Sequence, residues 1–210
     1  MGKNLMLPIF LNLSGKLVVV VGGGAVGVRK LTAAREAGAA VRVIDPRPLP
    51  LLPPEVVHVA EAYRAEHLDG AALAFACASP DVNTQVVADA RERGVWVNAA
   101  SAPTDGDFLL PAVVRRGDLT LAVSTGGASP ALARRVREKL EAEFDATFAE
   151  WVRVLAEVRT EVLATVPDEG RRRALLDAFA DWSWLTRLRA EGADAVLIAM
   201  RSRTREAASG

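Results

Sequence analysis

The sequence predicts an α/β fold in which helices alternate with the strands of a parallel sheet, followed by a segment with a hairpin and a helix and then by a helical carboxyl-terminal region. Short apolar, β-branched runs such as residues 17–21 recur in the first half, and helical patterns separate them. From about residue 130 the apolar residues instead recur at helical spacing. Strands that alternate with helices imply right-handed crossovers and a doubly wound sheet, which binds ligands at the carboxyl ends of its strands.

Length and composition limit the possible classes of protein. A chain of 210 residues, half of them hydrophobic and a quarter charged, can hold one domain of ordinary size and a smaller one. Its 26 basic residues balance its 26 acidic ones, which argues against a protein that binds nucleic acid through a general basic field. The two histidines, His58 and His67, share no spacing with other ligand types, so we expect no permanent metal site.

The single cysteine and the amino-terminal residues bear on location. Cys77 excludes an intrachain disulfide, which fits a reducing compartment, and its apolar surroundings predict a buried structural thiol. Residues 1–8 contain no apolar signal core, and no later stretch approaches the length of a membrane span. We therefore expect a cytoplasmic protein without membrane or nucleic-acid partners.

The first strand, Leu17–Val21, runs directly into the motif Gly22-x-Gly24-x-x-Gly27, and a helical pattern opens at once. The first glycine permits a tight turn, the second lets backbone approach a pyrophosphate, and the third lets the helix pack on the strand. The amino terminus of that helix supplies N–H groups and partial positive charge for the phosphates. This arrangement predicts a dinucleotide site in a Rossmann-type sheet; a tight turn without a ligand is the alternative.

The second strand, Val41–Ile44, ends at Asp45, which lies 18 residues past Gly27. An acidic residue near this distance accepts hydrogen bonds from the adenosine ribose. The next residues, Pro46 and Arg47, begin a loop with five prolines beside the adenosine end of the cofactor. Because the Asp45 carboxylate would repel a 2′-phosphate, we predict NAD rather than NADP.

Three further strands are predicted, at residues 56–60, 73–76 and 95–98. The fourth strand ends at Ala78-Ser79, on the same edge as the glycine turn, and Ser79 or Asp81 is expected to cap the next helix. The apolar segment Leu7–Leu11 is expected to pack against the sheet. The candidate cofactor-binding residues are therefore Gly22, Gly24, Ala25, Val26, Gly27, Asp45, Pro46, Arg47, Ala78 and Ser79.

The alternation stops after the fifth strand. Residues 108–114 and 119–124 read as two strands joined by a turn. Ser129 is a plausible N-cap and Pro130 the first residue of a helix. A long helix follows and breaks at Pro167, and further helical stretches run through roughly 169–180 and 184–201. Residues 201–205 are expected to form a solvated tail.

Several short motifs in one order within residues 5–145 carry a family resemblance. They are Leu7-Pro-Ile-Phe10, the glycine turn with Arg29-Lys30, Asn98, Phe108-x-x-Pro111, Ser124-Thr-Gly-Gly-Ala-Ser-Pro130, Leu132-Ala-Arg134 and Arg137-Glu-Lys-Leu140. Together they closely resemble the precorrin-2 dehydrogenase / sirohydrochlorin ferrochelatase family of siroheme synthesis. Residues 146–210 match only as a helical extension of the kind that these proteins carry.

The resemblance implies a homodimer with three parts: an NAD-binding Rossmann domain at 1–112, a dimerisation segment at 113–145 and a helical domain at 146–210. It also implies NAD-dependent oxidation of precorrin-2 to sirohydrochlorin, and some members insert ferrous iron as well. Because the tetrapyrrole carries many carboxylates, arginines suit it through bidentate hydrogen bonds. Four arginines are expected to flank the substrate cleft that the resemblance implies: Arg115, Arg116, Arg134 and Arg135. Plain solvation is the alternative for each of them. The candidate substrate-binding residues are Asn98, Ser124, Thr125, Gly126, Arg115 and Arg134.

One position departs from the family pattern. Two residues before the position that matches Pro103, family members carry an aspartate regarded as catalytic, and this chain has Ser101. A serine hydroxyl is a poor general base without an activating partner. Asp105 and Asp107 are candidate substitutes, although Asp107 is more simply placed to hydrogen-bond backbone at a strand start. Ser101, Asp107 and Asp105 are therefore the candidate catalytic residues, and the proton acceptor and iron insertion stay open.

Two other functions compete with the dehydrogenase. The first is a dinucleotide- or tetrapyrrole-binding module that has lost its chemistry, for which Ser101 is the main argument. The second is an NAD-dependent dehydrogenase for an unrelated small acid, a common use of this fold. It has little support, because no histidine or lysine lies at a strand end as an obvious acid for hydride transfer.

Overall fold

The computed structural model describes residues 6–209, which form two compact units that divide between Leu110 and Pro111. The first unit is a five-stranded parallel sheet with strand order β3-β2-β1-β4-β5. Its strands are β1 Leu17–Val21, β2 Ala40–Ile44, β3 Val57–Val59, β4 Ala71–Ala76 and β5 Trp96–Ala99. The order reverses between β1 and β4, so the predicted doubly wound sheet is confirmed, and its ligand edge lies where these two strands end.

Two helices cover the two faces of the sheet, α1 at Ala25–Glu36 and α2 at Pro80–Glu92. Side chains of a strand alternate between faces, so β1 feeds two separate cores. Val18 and Val20 pack with Leu31 of α1, whereas the alternate β1 residues pack in the core that contains Val86 of α2. Two short 3₁₀ turns, Ala65–Leu68 and Pro103–Asp105, complete the unit.

The segment before β1 differs from the expectation. Within residues 6–11 the apolar side chains are exposed, Leu7 at 80% and Phe10 at 75%, and Leu13 is the first to pack against the core. The prediction that this segment covers the sheet is therefore wrong for the chain by itself. β1 is already paired on both sides, and the helices occupy both faces. Residues 1–5, part of the predicted signal-free start, lie outside the described residues.

The second unit begins with the antiparallel hairpin of β6 Ala112–Arg116 and β7 Leu119–Val123. Gly117 takes a φ of +57° in the two-residue loop, a conformation that favours glycine. The sequence predicts that the first strand of this hairpin begins at residue 108, but in the structure it begins at Ala112. Residue 108 is held elsewhere: the Phe108 carbonyl accepts a hydrogen bond from Asn98 Nδ2 at 2.7 Å, and the Phe108 ring packs on Phe75.

Five helices follow the hairpin: α3 Pro130–Glu143, α4 Thr147–Thr165, α5 Glu169–Phe179, α6 Trp182–Glu191 and α7 Ala193–Ser209. Ser129 caps α3 as predicted, since its Oγ accepts the Leu132 N–H at 3.2 Å. The last four helices enclose a core that includes Trp151, Phe179 and Met200. No helix among residues 6–209 has the length and apolar character to cross a bilayer.

The carboxyl-terminal helices correct two expectations. The single helix predicted over 184–201 is two helices, because Gly192 at φ +84° ends α6. Residues 201–205 are not a solvated tail but lie within α7, which packs on α4. Arg201 pairs with Glu161 at 2.5 Å, and Thr204 is buried.

Candidate active site

Three glycines shape the turn between β1 and α1, and each position favours glycine for a different reason. Gly22 takes a φ of +101°, and a Cβ there would lie 2.5 Å from the Cys77 carbonyl oxygen. A Cβ on Gly27 would collide with the Gly22 carbonyl, so this glycine lets the helix sit on the strand. A Cβ on Gly24, by contrast, would have no described atom within 4 Å. The space in front of the helix is therefore open where a pyrophosphate would approach.

The amino terminus of α1 faces that space. Gly24 is its N-cap, and among the described residues no side chain caps the helix and no acidic residue lies in its first turn. Ala25 and Val26, which form the first turn, are exposed. Uncapped N–H groups and the positive end of the helix dipole together suit an anion. The turn thus fits the diphosphate of a dinucleotide.

Asp45 follows β2 directly, as predicted, and its side chain is only 3% exposed. Its Oδ2 accepts the Gly23 N–H at 2.8 Å, which ties the end of β2 to the glycine turn. Arg47 contributes its own backbone N–H at 2.9 Å and a bidentate guanidinium at 3.0 and 2.9 Å. The Arg47 guanidinium and these backbone donors hold the pKa of Asp45 well below its usual range.

The Arg47 pairing changes the expected role of Asp45. The ribose hydroxyls of a dinucleotide need carboxylate acceptor positions that the Arg47 guanidinium occupies. The Arg47 side chain is 72% exposed and can move into solvent, whereas the Gly23 bond belongs to the fold. Pro46 between them is exposed at the start of the loop. Ribose binding at Asp45 therefore requires exchange with Arg47.

The ends of β4 and β5 meet at a small polar cluster. Ala78 exchanges two hydrogen bonds with the side chain of Asn83, at 2.8 and 3.1 Å, and the same amide donates to Ser101 Oγ at 2.9 Å. Ser79 is the N-cap of α2 by its backbone, although its side chain makes no capping bond among the described contacts. The structure thus brings Ala78 and Ser101 together through Asn83, a residue to which the sequence assigned no role.

The two candidate substitutes for Ser101 differ in their surroundings. Asp107 Oδ2 accepts the Val97 N–H at 2.8 Å, and its own N–H donates to the Val97 carbonyl at 2.7 Å. Its carboxylate therefore holds the backbone at the start of β5, the simpler of the two roles considered. Asp105 is exposed, and its backbone carbonyl accepts a hydrogen bond from Arg91 at 2.7 Å.

Lys30 is a functional candidate that the sequence analysis missed. It lies on α1, and its ammonium donates to Asn98 Oδ1 and sits 5.0 Å from the centroid of the Phe75 ring. Burial lowers the pKa of the Lys30 ammonium. Burial of the nearby Cys77 thiol raises the pKa of that thiol to about 11. Leu31, the next residue, and Gly27, about one helical turn earlier, are buried. That apolar face is the signal that could have placed Lys30 against the sheet.

Asn98 itself, a predicted substrate-binding residue, is 4% exposed and uses both ends of its amide. Its Oδ1 accepts from Lys30, and its Nδ2 donates to the Phe108 carbonyl. In this arrangement it joins α1, β5 and the segment after β5. Cys77 is half-buried rather than fully buried as predicted, and the raised pKa of its thiol makes it a poor nucleophile at neutral pH.

In the second unit, the predicted substrate loop is a tight, internally bonded turn. Gly126 and Gly127 take φ values of +61° and +85°, which favour glycine at both positions. The Gly126 N–H donates to Ser124 Oγ at 3.1 Å, and Thr125 Oγ1 accepts the Ser129 N–H at 3.0 Å. The turn leads into α3 with Ser124 exposed.

The arginines of this unit have different partners. Arg116 donates to the carbonyls of Phe144 and Glu141 at 2.7 and 3.0 Å, so it supplies hydrogen-bond donors to carbonyl groups at the carboxyl end of α3. Arg134 is exposed and pairs with Glu138 at 2.9 Å, and Arg115 is exposed on β6. Among residues 6–209 no group of three or more His, Cys, Asp or Glu side chains is placed to hold a metal ion.

Two family models match the chain, and together they cover more than half of it. A model for NAD(P)-binding domains matches residues 9–112, and a model described as the central part of sirohaem biosynthesis proteins matches residues 116–143. The first match coincides with the sheet unit and its glycine turn. The second covers the end of the hairpin, the Ser124 turn and α3.

Curated relatives and a solved structure are similar to the chain. It is 38% identical over 175 residues to a siroheme synthase of Pseudomonas fluorescens (strain SBW25), a match that covers 80% of this chain and 38% of that protein. The siroheme synthase of Pseudomonas entomophila (strain L48) is 39% identical over 173 residues, 80% of this chain and 37% of that protein. The chain thus spans less than two-fifths of these relatives. The structure of SirC, a precorrin-2 dehydrogenase, matches with a TM-score of 0.76 and 26% identity over 94% of this chain and 100% of that one.

Proposed function

The chain belongs to the precorrin-2 dehydrogenase / sirohydrochlorin ferrochelatase family of siroheme biosynthesis, and we propose that it oxidises precorrin-2 to sirohydrochlorin with NAD. The observation that supports this most is the likeness to SirC over the whole length of that protein. The glycine turn supports it independently, because it offers an open anion site at the predicted edge of the sheet.

The residues at the sheet edge fit NAD. Gly24, Ala25 and Val26 would hold the diphosphate at the amino terminus of α1, and Asp45 would accept the ribose hydroxyls once Arg47 has moved. The ionised, buried Asp45 would repel a 2′-phosphate, which favours NAD over NADP. When bound, NAD accepts the hydride that leaves the tetrapyrrole, so the protein's task is to position the two reactants.

Substrate recognition is proposed for the turn and the arginines of the second unit. Ser124, Thr125 and Gly126 present a preformed turn, and the exposed Arg115 and Arg134 suit the carboxylates of the tetrapyrrole. We propose a homodimer, with the division of the chain at 1–112, 113–145 and 146–210 that the family resemblance implies. A cytoplasmic location also stays a prediction.

Turnover tests the proposal. Precorrin-2, kept anaerobic, is mixed with the chain and NAD, and the absorbance of sirohydrochlorin and of NADH is followed. We expect stoichiometric formation of both, with little reaction when NADP replaces NAD. Gly24→Val is the matched negative control, because it blocks the diphosphate site at a position where the fold has room.

A binding module without chemistry is the second candidate, and the observation that favours it is Ser101 in place of the family's aspartate. It predicts that NAD and the tetrapyrrole bind while no NADH forms. Adding Fe²⁺ or Co²⁺ to the product in the same assay measures metal insertion separately. Absence of NADH with both ligands bound would reject the dehydrogenase proposal.

A further inference from the structure

The side chain of Asn83, on α2, is 3% exposed, and every polar atom of its amide is used. Its Oδ1 accepts the Ala78 N–H at 2.8 Å. Its Nδ2 donates to the Ala78 carbonyl at 3.1 Å and to Ser101 Oγ at 2.9 Å. A buried amide that makes three hydrogen bonds, one through its oxygen and two through its NH₂ group, is a rigid group, because rotation would leave a buried polar atom unpaired.

The two bonds to Ala78 determine which end of the amide faces Ser101. Turning the amide over would place Oδ1 against the Ala78 carbonyl and the NH₂ group against the Ala78 N–H, and both contacts would be repulsive. The N–H of Asn83 therefore faces the serine oxygen. Ser101 Oγ is the acceptor in this bond.

Accepting that bond changes what the Ser101 hydroxyl does best. A hydroxyl oxygen that accepts an N–H is polarised, so it is a weaker base and its own O–H a stronger donor. Ser101 is exposed at the end of β5, so its proton is available to a ligand. The slot that a family aspartate fills as an acceptor is filled here by an oriented donor.

We propose that Asn83 is a positioning residue that fixes the Ser101 hydroxyl as a hydrogen-bond donor to an acceptor atom of the bound tetrapyrrole. This rests on the proposed function for the class of ligand. The hydroxyl keeps its proton throughout, and the proton released by the oxidation passes to water. Ser101 thus contributes binding and orientation to the reaction rather than acting as its base.

Because Asn83 also holds Ala78, loss of activity in a single variant would not separate positioning from support of the loop. A double-mutant cycle does so. The dissociation constant for sirohydrochlorin is measured by titration in the native chain, Asn83→Ala, Ser101→Ala and the double variant, and kcat/KM for precorrin-2 is measured in the same set. We expect Asn83→Ala to weaken binding about fivefold in the native chain and less than twofold when Ser101 is absent.

Two further variants make the cycle specific. Ser101→Thr keeps the hydroxyl and is expected to keep the effect of Asn83→Ala. Val86→Ala removes buried volume from the same helix without a described contact to Ser101, so its effect on binding is expected to be the same factor in both backgrounds. If Asn83→Ala does not fold, Asn83→Ser keeps one polar atom near Ala78 and takes its place in the cycle.

The outcomes separate this inference from the proposed function. An equal effect of Asn83→Ala with and without the Ser101 hydroxyl would overturn the inference, since it would mean that Asn83 only supports the loop. So would absence of sirohydrochlorin binding to the native chain. Binding of sirohydrochlorin with the expected coupling, but without oxidation of precorrin-2, would reject the dehydrogenase while leaving the positioning role in place.

Discussion

Asp45 serves the fold and the proposed cofactor site at once. Its bond to the Gly23 N–H keeps the glycine turn against the end of β2, and its bonds to Arg47 stabilise the ionised form of a carboxylate that is almost fully buried. An aspartate with a lowered pKa in the folded state stabilises the protein at pH values above its unfolded pKa of about 4. That contribution is lost as the pH falls through the folded value.

We therefore expect Asp45→Ala to weaken NAD binding by on the order of 1–3 kcal/mol, the cost of losing a charged hydrogen-bond partner. Calorimetric titration measures this, with NADP as the comparison ligand. Equal or tighter binding of NADP to the native chain would mean that Asp45 does not select the cofactor. The free energy of unfolding of native chain and variant should differ at neutral pH and converge as the pH falls below about 4.

Individual residues also show where sequence reasoning stops. Gly22, Gly24, Gly27 and Asp45 could be predicted, because local backbone geometry and chain order determine their positions. The partners of Lys30 and Asn83 could not be predicted, since each residue lies on a helix and obtains its role from a residue far along the chain; the apolar face of α1 indicates only that Lys30 lies near the sheet. Lys30 meets Asn98 across 68 residues and Asn83 meets Ser101 across 18.

At the scale of elements, the turn between β1 and α1 separates ligand binding from folding. The backbone of Gly24 has a φ of −71° and a ψ of −179°, which valine adopts readily. Gly27 instead faces the Gly22 carbonyl so closely that even a methyl group collides with it. Two residues of one motif thus have different reasons to be glycine.

We expect Gly24→Val to abolish NAD binding while changing the free energy of unfolding by less than about 1 kcal/mol. Gly27→Ala should lower the free energy of unfolding by about 1–3 kcal/mol, the typical cost of overpacking. Urea unfolding and NAD titration of both variants measure the contrast. A stable Gly27→Ala protein, or a Gly24→Val protein that binds NAD normally, would contradict this division.

The parallel strands were easier to predict than the helices of the second unit. A short apolar run in the sequence predicts a buried strand, and the order of such runs along the chain indicates which strands pair. The break between α6 and α7 depends on one glycine within a continuous helical pattern, and the burial of Thr204 depends on packing against α4. The prediction that residues 7–11 pack against the sheet is wrong, because the apolar character of a segment does not determine which surface it contacts.

For the whole molecule, assembly is the first open property. The β6–β7 hairpin is a sheet of two strands, which is marginal by itself in water, and α3 beside it exposes Leu132 at 53%. We expect the native chain to sediment as a dimer at micromolar concentration. Leu132→Glu should favour the monomer, whereas Leu163→Glu, at an exposed apolar position on α4, should leave the dimer intact. A native monomer would exclude the proposed dimer.

The second property is which of two activities the molecule performs. Oxidation needs the cofactor and the macrocycle held in a fixed geometry, whereas metal insertion also requires the pyrrole protons to be removed as the ion enters. With Ser101 in the aspartate position, we expect measurable dehydrogenase activity and metal insertion near the uncatalysed background. An anaerobic assay with NAD, followed by Fe²⁺ or Co²⁺, measures both rates.

Ser101→Asp should then raise the rate of metal insertion, because the Asn83 N–H that now donates to the serine would donate to the new carboxylate and keep it ionised. Asp107→Asn is the matched control. The Asp107 carboxylate accepts the Val97 N–H, so this change should lower stability and leave the ratio of the two activities as it is. Efficient iron insertion by the native chain, unaffected by Asp105→Asn or Asp107→Asn, would show that no carboxylate of this segment is required, and the serine would then be no obstacle to the second activity.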